Sequence, residues 1–189
     1  PDGRASYAHF VEMFRKPHWT FEDQETFVIL KSTSGKDIEI YANKPSTEYA
    51  GQEAIKAHFA TSGRWPDIVV HRGHSYFVSA AIESLTPSAE VVFLGSCGGY
   101  NNITNVLKYS PEAQIISSKQ IGTMLVNDKL CFELNEMIRK GEDLVWEKLW
   151  ARLNKKFVSG STAKSRFQDY IPPHKNLGAL LIKSYRAML

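Results

Sequence analysis

Two residues able to do nucleophilic chemistry stand in small-residue turns, His74 in HRGHS and Cys97 in GSCGG. A thiol attacks carbonyl carbon as its thiolate, and a neighbouring imidazole both favours the thiolate and protonates a departing amine. One Cys and one His therefore suffice for acyl transfer. Glycines beside Cys97 let backbone approach closely, and amides at the start of a following helix can point at a developing oxyanion. The backbone N–H of Cys97 is the first oxyanion donor expected. A second is expected from Gly73 or Ser75 in the histidine turn, with Gly98 shaping the cysteine turn. His71 is a competing imidazole, but it lies nearer the preceding apolar run and has no glycine at its immediate side.

These residues can meet only if the elements before them end together. Ile68 to Val70 and Val91 to Leu94 are continuous apolar runs of the kind found in strands covered on both faces. Between them Phe77, Val78, Ala81, Ile82 and Leu85 fall at helical spacing, and Thr86 and Pro87 stop the pattern. Strand, helix, strand makes the two strands parallel, so both turns leave the same sheet edge and face one crevice. Ile103, Val106 and Leu107 mark the next helix, and Ala113 to Ser117 reads as a further buried strand.

Upstream, Tyr7, Phe10, Val11 and Phe14 predict a short helix over Ser6 to Phe14. Phe27 to Ser32 and Asp37 to Ala42, joined around Gly35, predict a half-exposed hairpin at a sheet edge, and Lys44 to Glu48 a polar loop. Gly51 to Thr61 predicts a helix whose His58 reads as an ordinary face residue. Downstream, Ile121 to Asn127 reads as a loop or short strand, with Asp128 as N-cap of a helix carrying Leu130, Leu134, Met137 and Ile138. Cys131 on that helix reads as a small core residue. A helix is expected over Glu142 to Phe157, a mobile loop over Val158 to Ser165, and a last helix after Pro172 and Pro173.

At 189 residues the chain fits one α/β domain with one core. It begins at Pro1, without Met, which reads as a trimmed or processed piece of a longer protein. A net charge of +3, from 23 basic and 20 acidic residues spread along the chain, gives no electrostatic reason to expect nucleic acid. No run approaches the roughly 18 apolar residues of a membrane span, and no signal peptide stands out. Compartment and oligomeric state stay open. Two cysteines do not make a disulfide framework, so both read as free thiols.

RGHS after one hydrophobic strand and VVFLGSCGG on the next resemble the caspase-like cysteine peptidases, the group of caspases, legumain, gingipains, clostripain and separase. The resemblance covers Ile68 to Asn102, and the strand at Ala113 to Ser117 continues the order. It implies a three-layer α/β/α sandwich with a mostly parallel sheet, to which the hairpin would add an antiparallel edge. It also implies Cys97 as nucleophile, His74 as catalytic histidine, a peptide or protein substrate, and no metal or organic cofactor. The family usually has Gly immediately after the histidine, whereas here Gly73 precedes it and Ser75 follows; the crossover is also shorter than usual. The pocket for the substrate side chain is expected after the nucleophile strand, at Ser117, Ser118 and Lys119 and the adjoining Gln120, with Lys119 favouring an acidic group, solvated, or paired with a carboxylate such as Asp128. Trp65, Tyr76 and Tyr100 flank the crevice in sequence.

Three alternatives use the same residues. GSCGG can be a tight turn around a buried thiol, with His74 an ordinary loop residue. The domain can be an inactive caspase-like module that binds or regulates. GSCGG can also cradle an anion, although its spacing fits neither GxGxxG nor a P-loop.

Overall fold

The computed structural model describes residues 2–15, 17–47 and 49–188, so Pro1, Lys16, Glu48 and Leu189 lie outside the described residues, and with Glu48 the end of the expected polar loop. The protein is mixed α/β and contains two sheets, one antiparallel and one mixed. Its contacts divide it into two compact units where one core was expected: Pro1–Arg64 with Asp128–Leu144, and Trp65–Asn127 with Val145–Leu189.

The first unit holds helix α1 (Asp2–Met13), strands β1 (Trp19–Asp23), β2 (Phe27–Ser32) and β3 (Glu39–Asn43), helix α2 (Tyr49–Ser62) and most of helix α5 (Met124–Arg139). The expected hairpin is β2–β3, paired antiparallel with Leu30 opposite Ile40. Instead of edging a parallel sheet it is the middle and one side of its own three-stranded sheet, because β1 pairs with the free side of β2. Strand β1 left little trace in the sequence, since only Trp19 of its five residues is buried. Phe14, in the turn just after α1, packs edge-on against Trp19 at 4.9 Å and against Phe132 of α5 at 5.4 Å.

Asp128 is not a helix N-cap. It is buried four residues inside α5 and paired with His9 Nδ1. Thr123 takes the starting position, its hydroxyl accepting from Leu125 N–H at 3.4 Å and its carbonyl from Asn127 N–H at 2.9 Å. At the other end of α5, Arg139 makes two 2.8 Å hydrogen bonds to Glu136 and donates to the Ser34 carbonyl in the β2–β3 turn at 3.2 Å. Trp19 Nε1 also donates to Glu136, at 3.0 Å.

The second unit holds β4 (Ile68–His71), α3 (Val78–Glu83), β5 (Val91–Leu94), α4 (Ile103–Tyr109), β6 (Gln114–Ser118), α6 (Trp146–Lys156), α7 (Thr162–Phe167), β7 (Tyr170–Ile171) and α8 (Leu177–Ala187). Its sheet runs β4-β5-β6-β7, with the first three strands parallel and β7 antiparallel. Val92, Leu94 and Ile115 alternate along β5 and β6 and so share one face, where Val78 and Ile82 of α3, Val106 and Leu107 of α4 and Ala179 of α8 pack with them. Phe93 and Ile116, pointing the other way, are equally buried. Both faces of β5 and β6 are therefore covered, whereas the apolar run of β4, expected to be covered too, is an edge strand with Val70 exposed.

Where a loop was expected over Val158 to Ser165, α7 begins at Thr162 with Ser161 as its N-cap, accepting from Lys164 N–H at 3.2 Å. Among the described residues no helix is long and apolar enough to cross a membrane.

Arg139 and the indole of Trp19 stabilise the charged Glu136 and hold its pKa down, from 4.5 to about 2. A carboxylate depressed in this way contributes stability that is present above pH 4.5 and lost as pH falls through the folded value near 2. Glu136→Gln is expected to lower unfolding free energy by about 2 kcal/mol at neutral pH. It should also flatten the acid side of the stability curve between pH 4.5 and pH 2, as read by urea titrations across that range.

Candidate functional site

In the second unit β4 and β5 pair in parallel with His71 opposite Leu94, and the Gly95 N–H donates to the His71 carbonyl at 2.8 Å. The two strands therefore end side by side. His74 lies three residues beyond His71, and Cys97 three beyond Leu94, so the turns carrying them leave one sheet edge as the sequence implies. Both side chains are exposed. Among the described residues no hydrogen bond joins the imidazole to the thiol, and the His74 ring lies 6.5 Å from that of Tyr76. Bonds between catalytic groups commonly tighten only in the Michaelis complex.

The cysteine turn is tightly held. Gly98 has φ +63°, the left-handed region that a side chain strains, and its N–H donates to the Gln120 carbonyl at 2.8 Å. Gly98 is thus the turn residue expected of it, while its N–H is committed elsewhere. Asn127 Nδ2 donates to the Gly95 carbonyl at 3.0 Å, and the Ser118 hydroxyl donates to the Ser96 carbonyl. Tyr170 supports Asn127, its hydroxyl donating to Oδ1 at 2.7 Å and accepting from Thr123 N–H at 2.9 Å. Cys97 alone in the run from Gly95 to Gly99 is exposed, and Ser96 and Gly99 on either side are buried. That overturns the reading of GSCGG as a turn around a buried thiol. Cys131, by contrast, is buried in α5, as expected of a small core residue.

The histidine turn is held from below. His71 is buried, and its Nε2 lies 3.0 Å from the His74 carbonyl. Only a protonated ring nitrogen can bond a carbonyl, which assigns the proton to Nε2. Desolvation pushes the His71 pKa below its ordinary value, against the opposing effect of that hydrogen bond. His74, not His71, is the exposed imidazole. Ser75 opens a single 3-10 turn (Ser75–Phe77), and Phe77 N–H donates to the same His74 carbonyl at 3.1 Å.

Ser117 and Ser118 are fully buried, because they are the last residues of β6 and pair with β7. They differ in this from residues that would meet a substrate side chain. Lys119 and Gln120 are exposed just beyond them. Lys119 is tied through its backbone, the N–H donating to the Asp169 carbonyl at 2.8 Å. Asp128, which the sequence offers as a carboxylate for Lys119, is paired with His9. Tyr76 is 85% exposed and Trp65 47%, whereas Tyr100 packs against the core of its unit. Gly73 is exposed beside His74. Among the described residues no group of three or more His, Cys, Asp or Glu is arranged to hold a metal ion.

Sequence reasoning did not single out Asn127, Tyr170 or the supporting roles of His71 and Ser118. An asparagine ending the otherwise apolar stretch from Ile121 was a usable signal for the first. Tyr170 had none, since its strand is two residues long. Comparison with protein-family models, with curated proteins and with solved structures finds no match for the chain.

Position 122 is packed so closely that a Cβ there would overlap the Gly95 carbonyl oxygen, the same oxygen that Asn127 holds. Gly122→Ala is therefore expected to cost about 2 kcal/mol or more, seen as a lowered urea midpoint. Exposure alone predicts that native protein takes up one equivalent of iodoacetamide at Cys97, with Cys131 reacting only after denaturation. Peptide mapping by mass spectrometry reads both sites.

Proposed function

We propose that the chain is a cysteine peptidase of caspase-like type, with its second unit as the core of a caspase-like α/β/α sandwich. The observation that carries this reading is the parallel register of β4 and β5, which brings an exposed thiol and an exposed imidazole to adjacent strand ends, each three residues past the paired His71 and Leu94. In this reaction the Cys97 proton passes to His74 and the sulfur bonds to the scissile carbonyl carbon. The carbonyl oxygen takes up negative charge near the N–H groups of Cys97 and Ser75. Collapse of the tetrahedral intermediate breaks the C–N bond, and the imidazolium gives its proton to the departing amine. Water, deprotonated by His74, then attacks the thioester, releasing the carboxylic product and restoring the thiol. Nothing in this sequence calls for a metal or an organic cofactor.

A substrate peptide is a reasonable partner for this edge, where Tyr76, Lys119 and Gln120 are exposed around the two turns. An anion cradle is less well supported, because the Gly98 N–H that would face the anion is already given to Gln120. A second reading, an inactive caspase-like module, is favoured by one observation: His74 and Cys97 are not hydrogen-bonded to each other.

A positional peptide-library digest separates the two. Wild-type chain is expected to give a defined cleavage profile that Cys97→Ala abolishes and His74→Ala weakens by about 10²-fold or more. The same cleavage profile from wild type and Cys97→Ala would sink the peptidase reading. A wild-type chain that cuts nothing, and whose Cys97 alkylation rate is unchanged by His74→Ala, would establish the inactive module.

A further inference from the structure

We propose that His71 and Ser118 are positioning residues that orient the 74–75 and 96–97 peptide groups, and so direct the N–H groups of Ser75 and Cys97 toward a common oxyanion. The oxyanion part rests on the peptidase reading; the orientation part rests on geometry alone.

A trans peptide is planar, with the C=O of one residue and the N–H of the next pointing in opposite directions. No cis peptide occurs among the described residues. Whatever grips a carbonyl therefore also aims the following N–H. Ser118, fully buried at the end of β6, donates to the Ser96 carbonyl, so the Cys97 N–H points away from β6. His71, buried at the end of β4, donates to the His74 carbonyl at 3.0 Å, and the Phe77 N–H donates to it as well. The Ser75 N–H consequently points away from the buried ring. Neither the Ser75 nor the Cys97 N–H is given to a protein acceptor among the described residues. Two unused donors thus stand on adjacent turns at one sheet edge, each aimed by a buried side chain from the strand end beneath it.

The same geometry accounts for a serine at position 75. His74 has φ −67° and ψ 148°, ordinary extended backbone, and Ser75 enters a 3-10 turn. No left-handed residue is needed to turn the peptide, because the His71 ring fixes it. Asn127 adds to the effect on the cysteine side by holding the Gly95 carbonyl, which fixes the peptide before the one that Ser118 grips.

The test compares Ser118→Ala and His71→Phe with the donor-retaining Ser118→Thr and His71→Gln, all on the full chain. Backbone amide NMR reads orientation without reference to activity. Ser118→Ala is expected to move the Cys97 amide resonance and leave Ser75 in place, and His71→Phe to do the reverse, with Ser118→Thr and His71→Gln close to wild type. On a peptide cut by the wild type, each of the first two variants is expected to lower kcat by about tenfold or more with KM within about twofold, since an oxyanion donor acts on the transition state. Alkylation of Cys97 by iodoacetamide, which forms no oxyanion, should be unchanged.

Unmoved Cys97 and Ser75 amides in variants that still melt cooperatively would overturn the proposal whatever the activity. Equal losses of kcat and alkylation rate would assign the effect to the thiol and overturn the oxyanion part. Amides that move as expected in a chain that cuts no peptide would uphold the orientation by His71 and Ser118 and overturn the peptidase reading on which the rest stands. If Ser118→Ala does not fold, His71→Phe and its Ser75 amide carry the test alone.

Discussion

The parallel pairing of β4 and β5 is the constraint on which the candidate site depends. With His71 opposite Leu94, both strands end at the same level, and the Gly95-to-His71 hydrogen bond carries the ladder one step into the cysteine turn. Strands β5 and β6 anchor this ladder in the core, while β4 is the edge strand with Val70 exposed. Val92, Phe93 and Leu94 are all buried, as are Ile115 and Ile116 on the neighbouring strand. Burying a side chain of this size stabilises by about 1.5–3 kcal/mol, and a one-residue slip would exchange the faces of every one of them. The spacing between the two turns is thus a property of the strand pairing and needs no contact between the turns themselves.

Core packing cannot orient a peptide group, and buried hydrogen bonds do that. A buried carbonyl left without a donor costs about 1–3 kcal/mol, so a turn that folds back over a sheet edge needs donors beneath it. Ser118 and Asn127 meet this need for consecutive carbonyls, and Tyr170 fixes the amide orientation of Asn127. The Gly98 N–H is met from the opposite direction by the Gln120 carbonyl. These partners lie in β6, in the segment that follows it, at the start of α5 and in β7, so the antiparallel edge strand helps to hold a loop it does not touch in sequence. In the first unit the same principle operates on a surface turn, where Arg139, itself charge-paired with Glu136, bonds the Ser34 carbonyl.

Much of this was legible in the sequence because burial leaves periodic traces. The runs at Ile68, Val91 and Ala113 announced the parallel strands, and Gly73 and Gly95 marked where the first two stop. Elements that bury little left no trace: β1 buries one residue of five, and β7 has only two. The start of α5 lies five residues before the position its sequence suggests, because Asp128 has the chemistry of an N-cap, while its role, a buried partner for His9, depends on a residue 119 positions away. The hairpin was read correctly as a hairpin but assigned to the wrong sheet, since alternation fixes which face is buried and says nothing about which strand lies alongside. The exposed thiol and the exposed imidazole were visible by residue type. Their support was not, because Ser, Asn and Tyr carry the same letters whether they face water or grip a carbonyl.

The exposure of Cys97 bears on why a cysteine is there at all. A thiol inside a fold behaves as a small hydrophobe, which is the situation of Cys131. Cys97 fills no core space, since it stands outward between the buried Ser96 and Gly99, on a turn whose carbonyls are held from beneath. Packing therefore gives no reason for sulfur at this position, and the turn's geometry is met by the backbone and by Gly98 with φ +63°. On the peptidase reading proposed above, what a cysteine adds here is reactivity. An exposed thiol on a mobile loop would react without selectivity, whereas under that proposal one fixed beside a second exposed turn that carries an imidazole would act on what fits across both. The rigidity of the turn and the exposure of its one sulfur are thus both what the proposed chemistry would require.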